Sequence, residues 1–421
     1  MIRTRGGGFL IGLLAAGFLC WAAPGQEPDR EGGLVEDDAL GFEVRLDTVL
    51  KHDDGEFLWF HPRVAAIPGA GRDGQAAVIM TLQKHLHISD YYSGLSYMRT
   101  DDLGVSWSGP TLPPELDWVD ESDTVKVSVC DVTPGWHAPT GKLLAIGVKV
   151  RYRDGHQLLD EPRSHDAAYA VYDPAANSWT SWRMLDAPHR EGKFYLVTPG
   201  CTQWIVEPDG TILLPVYCGD GSGGPFVTTV FRCAFDGTTL RYLEHGDEIA
   251  LNVARGICEP SLVAFGGNYY LTLRNDVKGY VAVGSDGLHY APIRPWTFDD
   301  GAELGSYNTQ QHWLAHSDGL FLVYTRRGAD NDHVARHRAP LFMAQVDPEA
   351  LCVIRDTERV LVPERGATLG NFGAAPINER ESWVTVSEGM WGPARERGAE
   401  GCTFVARVIW TKPNRLARPP R

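Results

Sequence analysis

One turn recurs along this chain, and it limits the fold more than any other feature. Thr100-Asp101-Asp102-Leu103-Gly104-Val105-Ser106-Trp107 reads T-x-D-x-G-x-x-W. Weaker echoes follow at Tyr172-Asp173-Pro174 (leading to Trp179), Phe235-Asp236-Gly237, Ser285-Asp286-Gly287-Leu288-His289-Tyr290 and Val346-Asp347-Pro348. An aspartate in a hairpin turn accepts backbone N–H bonds, and a glycine there takes a positive φ. The aromatic residue anchors the hairpin on its neighbour. This is a folding device, and no chemistry is placed on it. The aspartates recur at intervals of roughly 50–70 residues, somewhat longer than the usual propeller blade repeats. A repeating four-stranded unit of that length predicts an all-β chain, a propeller of about six blades.

The segments between the turns agree. Ala76–Met80, Leu143–Ile146, Ile212–Tyr217, Tyr269–Leu273 and Leu320–Tyr324 are short apolar runs, most with β-branched or aromatic residues, and they read as strands. The 46 glycines and 27 prolines suit many tight turns. Helical periodicity is scarce; Asp347 to Ile354 allows one turn. No Pro/Ser-rich linker or charge block marks a boundary, so one large repetitive domain over residues 26–421 is expected.

Residues 1–25 read as a secretory signal. Arg3 and Arg5 precede an apolar run from Phe9 to Trp21, and Ala22-Ala23-Pro24-Gly25 supplies small residues for cleavage. The run is shorter than the roughly 20 apolar residues of a membrane span. The expectation is a secreted or periplasmic protein with no stable membrane insertion after cleavage. Seven cysteines lie beyond the signal, scattered rather than set as C-x-x-C. In an exported chain some are expected to pair, and an odd number leaves at least one over. A net charge of −15 argues against nucleic acid as a partner. It is compatible with an acidic ligand, because a local arginine cluster can sit in an acidic protein.

The octet Thr100 to Trp107 resembles the Asp-box of sialidases, and further segments line up with that family in order. Phe60-His61-Pro62-Arg63-Val64 with Ile67-Pro68 resembles the segment, usually closer to F-R-I-P, that carries the first substrate-binding arginine; this implies Arg63. Asp90, ahead of the Asp-box, stands where the family keeps its acid/base aspartate. Cys258-Glu259-Pro260-Ser261 running into Leu271-Thr272-Leu273-Arg274 resembles the stretch with the catalytic glutamate and the second arginine. Arg336-His337-Arg338-Ala339-Pro340 resembles the strand with the third, which implies Arg338, with Arg336 and Arg327 as alternatives. The resemblance implies a six-bladed propeller of four-stranded antiparallel blades acting on an acidic sugar. The chain departs from the family at one place. The tyrosine nucleophile should follow the third arginine, but Leu369-Gly370-Asn371-Phe372-Gly373-Ala374 has none, and no tyrosine occurs after Tyr324.

An arginine cluster suits a carboxylate because each planar guanidinium meets it with two parallel hydrogen bonds. Glycoside cleavage needs a proton donor and a nucleophile or base on opposite faces of the sugar. Asp90 is the candidate acid and Glu259 its partner base, each also readable as structural: a turn aspartate and an ion-pair member. Tyr307, in a polar-aromatic stretch from Leu304 to Trp313, is the candidate substitute nucleophile. His85 and His87 alternate, which on a strand turns them to one face, and His312 adds a third candidate for substrate contact. No cofactor is implied, and the histidine spacing demands no metal.

Three functions fit these residues. One is a sialidase-like exo-glycosidase. Another is a propeller lyase or unusual glycosidase that acts on uronate-containing glycans through histidine and tyrosine. The third is a carbohydrate-binding propeller without catalysis.

Overall fold

Each recurring turn joins the third and fourth strands of a four-stranded antiparallel sheet, and the sheets number six. They appear in a computed structural model that describes residues 40–87, 90–153, 155–157 and 165–417. The expected leader lies outside the described residues. From Leu40 onward the chain gathers into one unit, and the first strand begins at Phe42.

The blades are numbered here by their innermost strands. These are Leu58–Ile67, Val125–His137, the broken pair Leu196–Thr198 and Ile205–Val206, Cys258–Phe265, His312–His316 and Gly373–Pro376. Blade 2 adds three short strands to the four-strand plan, blade 3 also has an extra outer strand, and blade 5 has one. The ring closes by a strand from the other end of the chain. Phe42–Lys51 pairs antiparallel with Cys402–Trp410, from Phe42 opposite Trp410 to Lys51 opposite Cys402, and becomes the outer strand of blade 6.

The turn chemistry read from the sequence is visible at the atoms. Asp102 Oδ1 accepts the Ser106 N–H at 2.8 Å, and Thr100 Oγ1 accepts the Gly104 N–H at 2.8 Å. Asp173, Asp236, Asp286 and Asp347 each accept the N–H groups two and three residues ahead. Trp107 packs on Trp383, with ring centroids 6.0 Å apart, so the first turn pins blade 1 to blade 6.

Separate apolar clusters fill the blade interfaces. Leu143, Ala145 and Tyr172 meet Ile67 and Ile79 between blades 1 and 2. Leu314, Phe321 and Met343 meet Val384, Phe404 and Trp410 between blades 5 and 6. Burying one such side chain contributes about 1.5–3 kcal/mol, and radial repetition lets a large domain do without a single core. The seven described cysteines are all buried with free thiols, so the expected pairing does not occur among them. Among the described residues, helix is limited to short 3-10 turns; Asp347 caps a turn, and Cys352–Val353 then returns to strand.

A second repeat, not read from the sequence, sits at one end of the ring. The inner strands of blades 1, 2 and 4 shift register between Phe60 and Arg63, Cys130 and Thr133, and Cys258 and Ser261. Each bulge holds a left-handed residue: His61 (φ 53°), Asp131 (φ 56°) and Glu259 (φ 45°). Cys201 (φ 59°), in the break of the blade 3 inner strand, and Asn308 (φ 53°), just before that of blade 5, share the conformation. Non-glycine residues seldom adopt it, and bulges re-aim side chains next to functional sites. Here five successive blades each present one polar or thiol side chain in this way.

Candidate functional site

The site is built from these residues and the arginines behind them. Arg274 ends the second strand of blade 4, and the bulge at Glu259 brings that carboxylate onto it. Arg274 Nη1 donates to Glu259 Oε1, and Nη2 donates to Asn308 Oδ1 at 2.8 Å. Arg338 Nη2 donates to the backbone carbonyl of the same Asn308. One left-handed residue of blade 5 thus ties the second and third arginines together. Arg63 donates from Nη1 to the Val132 carbonyl at 3.2 Å, and its charge acts on both His312 and Asp131.

Several buried polar atoms here have no protein partner: Nε and Nη2 of Arg63, Nε of Arg274, Nε of Arg338, Oε2 of Glu259 and Nδ1 of His61. Buried donors are normally satisfied, so an unpaired set calls for a water, ion or ligand. Most of these groups are guanidinium N–H donors, which ask for an anionic acceptor.

Backbone fit supports the arrangement. A Cβ at Gly370 would collide with Cδ of Arg338, and one at Gly373 would stand 2.7 Å from Cγ of Arg63. The start of blade 6 therefore runs flat across two arginines, and glycine permits that approach.

The electrostatics follow from the crowding. Burial would raise the Glu259 carboxyl, but Arg274, Arg255 and Arg338 outweigh it and hold it below its usual range. Burial, helped by Arg274, lowers Arg338 to about 10. Partial burial raises Asp131 to about 6; Arg63 opposes this, while Glu259 and Asp90 add to it. Burial and then Arg63 push His61 well below the normal histidine range, so the ring is neutral at pH 7. His85 falls to about 4, through burial and the neighbouring His87. Burial and the charges of Asp131 and Asp90 raise the Tyr92 hydroxyl far above its usual range.

The other expected residues fall as follows. Asp90 is exposed and left-handed at φ 58°, and its carbonyl accepts the Tyr152 hydroxyl at 3.1 Å. Its charge acts on Asp131 and Tyr92. The Tyr307 hydroxyl contacts His337 Nδ1 at 2.5 Å, and His337 Nε2 contacts Asp332 Oδ1 at 3.2 Å. His85 is buried among Phe60, Tyr92 and Trp391, with ring centroids 4.8, 5.4 and 5.2 Å away. His87 does not alternate with it on one strand face. The strand ends at His85, and His87 is exposed and left-handed. His312 is a tie between blades rather than a free group at the opening. Its Nδ1 meets Ser261 Oγ at 2.9 Å and its Nε2 meets the Phe372 carbonyl at 3.1 Å, and it is 1 % exposed. Phe372 is fully buried, its ring 5.1 Å from that of His312.

Sequence reasoning missed Asp131, Cys201, Tyr92 and Asn308 and treated His61 only as a neighbour of Arg63. The bulge sets His61 beside Asp131, its Nε2 3.2 Å from Oδ1. In the F-R-I-P spacing, the residue directly after the phenylalanine is His61. One signal was available: 70 residues separate His61 from Asp131, and 70 again separate Asp131 from Cys201, a blade-like interval.

Solved structures share this architecture. Trypanosoma rangeli sialidase superposes with a TM-score of 0.57 at 12 % identity, over 87 % of this chain and 59 % of that one. The fold is that of the sialidase propellers. The Hadza microbial sialidase Hz136 matches at a TM-score of 0.56 and 11 % identity over 84 % of this chain and 66 % of its own. A K499G mutant of NanB sialidase from Streptococcus pneumoniae gives 0.55 and 11 % over 86 % and 70 %. This chain spans about three fifths of the length of the Trypanosoma rangeli protein. No model of a protein family matches the chain, and no curated protein matches it in sequence.

Proposed function

We propose that the protein is an exported glycoside hydrolase that removes a terminal acidic sugar from a glycan. The observation that carries the reading is the set of buried, unpaired N–H groups on Arg63, Arg274 and Arg338, of which the last two are joined through Asn308. A sugar carboxylate supplies the acceptors those groups lack, and desolvated guanidinium–carboxylate pairs are the stronger class of hydrogen bond. Trypanosoma rangeli sialidase, a structural neighbour, has been solved in complex with sialic acid, an acid of that class.

In this reading Asp90 is the proton donor and Glu259 the partner base. Phe372 has no oxygen to offer, and its ring is buried away from solvent. Tyr307 is then the substitute nucleophile. With His337 Nε2 directed at the Asp332 carboxylate, that nitrogen carries the proton, and Nδ1 is left bare to accept the proton of the Tyr307 hydroxyl. That is the geometry of a hydroxyl paired with a base.

A second reading has its own observation. His61 and His85 are held neutral beside Tyr92. A neutral imidazole next to a tyrosine fits α-proton abstraction from a uronate whose carboxylate the arginines neutralise.

Mass spectrometry of the products from sialylated and uronate-containing oligosaccharides separates the two. A free acidic sugar with water added across the bond supports the hydrolase. An unsaturated uronate moves the assignment to the lyase. Binding of the acidic sugar without any product leaves a carbohydrate-binding propeller.

A further inference from the structure

We infer that His61, Asp131 and Cys201 form a binding site for a single transition-metal ion of the zinc type at the mouth of the propeller. The three come from blades 1, 2 and 3, and each is a left-handed residue lifted out of its inner strand. One ligand atom from each lies within 4.8 Å of the others. Bonds of about 2.0–2.3 Å at tetrahedral angles put neighbouring ligand atoms roughly 3.3–3.8 Å apart. His61 Nε2 and Asp131 Oδ1, at 3.2 Å, already stand close to that spacing, so seating an ion requires only a small movement of the thiol.

The surroundings keep the three together. The Cys201 N–H donates to the Asp131 carbonyl at 3.0 Å, which locks the backbones of blades 2 and 3 at this point. Gly200 leaves room beside the carboxylate; a Cβ there would stand 3.0 Å from Asp131 Cβ and 3.3 Å from its Oδ2. His61 is 3 % exposed and its Nδ1 has no protein partner. Asp131 keeps 27 % of its side chain accessible, which gives an ion a path in and leaves a side for a further ligand.

The donor set selects the ion. One imidazole nitrogen, one carboxylate oxygen and one thiolate suit a borderline-soft cation such as Zn²⁺ and disfavour Ca²⁺ and Mg²⁺, which take oxygen alone. Arg63 and Arg338 lie close by, so the charge of the occupied site matters. A divalent ion with one carboxylate, one thiolate and a neutral imidazole sums to zero, so occupancy raises the charge of the site by only one, from the single negative charge of the ionised carboxylate beside a neutral thiol. The thiol proton leaves to solvent as the metal–sulfur bond forms. Three protein ligands with an open position is the pattern of catalytic rather than structural zinc. Such an ion would stand beside the carboxylate-binding arginines.

The test uses the whole chain, stripped with chelator and then titrated with Co²⁺ as a spectroscopic stand-in for Zn²⁺. One equivalent should bind and give a thiolate-to-cobalt charge-transfer band in the near ultraviolet. Cys201→Ser should lose the band, and Cys233→Ser, a buried thiol on the third strand of blade 3, should keep it. Absence of the band from the unaltered protein overturns the inference even if the variants do not fold, and so does a band that survives Cys201→Ser. The experiment contains no sugar, so it stands or falls separately from the acidic-sugar reading.

Discussion

The hydroxyl of Tyr307 stands 2.5 Å from Nδ1 of His337, a potential base. Its neighbour Asn308 holds both Arg274 and Arg338, so a small movement of this segment would be felt at two of the arginines. Tyr307→Phe removes only the hydroxyl. On a substrate that the protein cleaves, it should lower kcat by about 10²–10⁴-fold with little change in affinity. Asp332→Asn should cost no more than about 1 kcal/mol, because Asp332 is 98 % exposed and such pairs are weak. Steady-state kinetics on the released sugar checks both. Undiminished turnover in Tyr307→Phe would remove Tyr307 from the chemistry.

Arg274 and Glu259 form a buried pair, and the two roles of Arg274 can be pulled apart. Arg274→Met leaves a buried carboxylate without its partner, a loss of about 3–5 kcal/mol. The double variant Arg274→Met/Glu259→Gln removes the stranded charge and should recover much of that stability. Neither variant should bind a carboxylated sugar with measurable affinity. Chemical denaturation together with calorimetric titration of the sugar reads the two effects separately. Sugar binding by the stable double variant would contradict a carboxylate role for Arg274.

Phe372 tests whether the tyrosine missing from blade 6 can simply be restored. Its ring is fully buried, and its carbonyl already accepts from His312 and Gln310. Phe372→Tyr would place a hydroxyl in an apolar, filled site, at a cost of about 1–3 kcal/mol from overpacking and an unmet hydrogen bond. The expected result is a lower denaturation midpoint with no gain in turnover. A faster enzyme would mean that the ring can turn toward the arginines.

These cases mark where the sequence was legible. The turn aspartates could be read because their chemistry is local: Asp102, Asp173, Asp236, Asp286 and Asp347 each bond within a few residues of themselves. The blade count followed from their spacing. The proximity of Glu259 and Arg274 could be read because they sit on adjacent strands of one hairpin. His61, Asp131 and Cys201 could not, because each is presented by a bulge or strand break whose left-handed residue no propensity announces, and their meeting depends on closure of the ring. Strict strand alternation misplaced His87 because the strand ends two residues earlier. His312 shows the opposite error: its polar stretch suggests a ligand-facing group, but both ring nitrogens hold blades together.

Two buried histidines predict acid sensitivity. Burial lowers His85 to about 4, and burial with Arg63 lowers His312 to about 3, against about 6.5 in an unfolded chain. Below pH 6.5 the unfolded state binds protons that the folded state refuses. The contribution is therefore complete above about pH 6.5 and drains away as pH falls through 4 and then 3. The turn carboxylates add to this in the lower part of the range, since hydrogen bonds from Ser106 hold Asp102 near 2. Urea midpoints should be flat from pH 8 to 7 and fall steadily from 6 to 4. His312→Gln, which cannot take up the proton, should flatten the lower part of that slope. An unchanged slope in a folded variant would show that the ring already titrates normally.

Gly370 offers a test of the arginine cluster that leaves every charge in place. Its φ is not left-handed, so alanine meets no backbone penalty; the obstacle is the Arg338 side chain, whose Cδ the new methyl would strike. Arg338 can yield only by swinging away from the Asn308 carbonyl that its Nη2 now holds. Gly370→Ala should therefore weaken acidic-sugar binding by about 1.4 kcal/mol or more, a tenfold rise in Kd, while changing thermal stability far less than Arg274→Met does. Gly373→Ala should be harsher, because the nearest atoms are Cγ, Cβ and Cα of Arg63, close to the backbone and unable to swing aside. Titration of the two variants with the same sugar ranks them. Equal and unaltered affinities would mean that neither arginine touches the ligand.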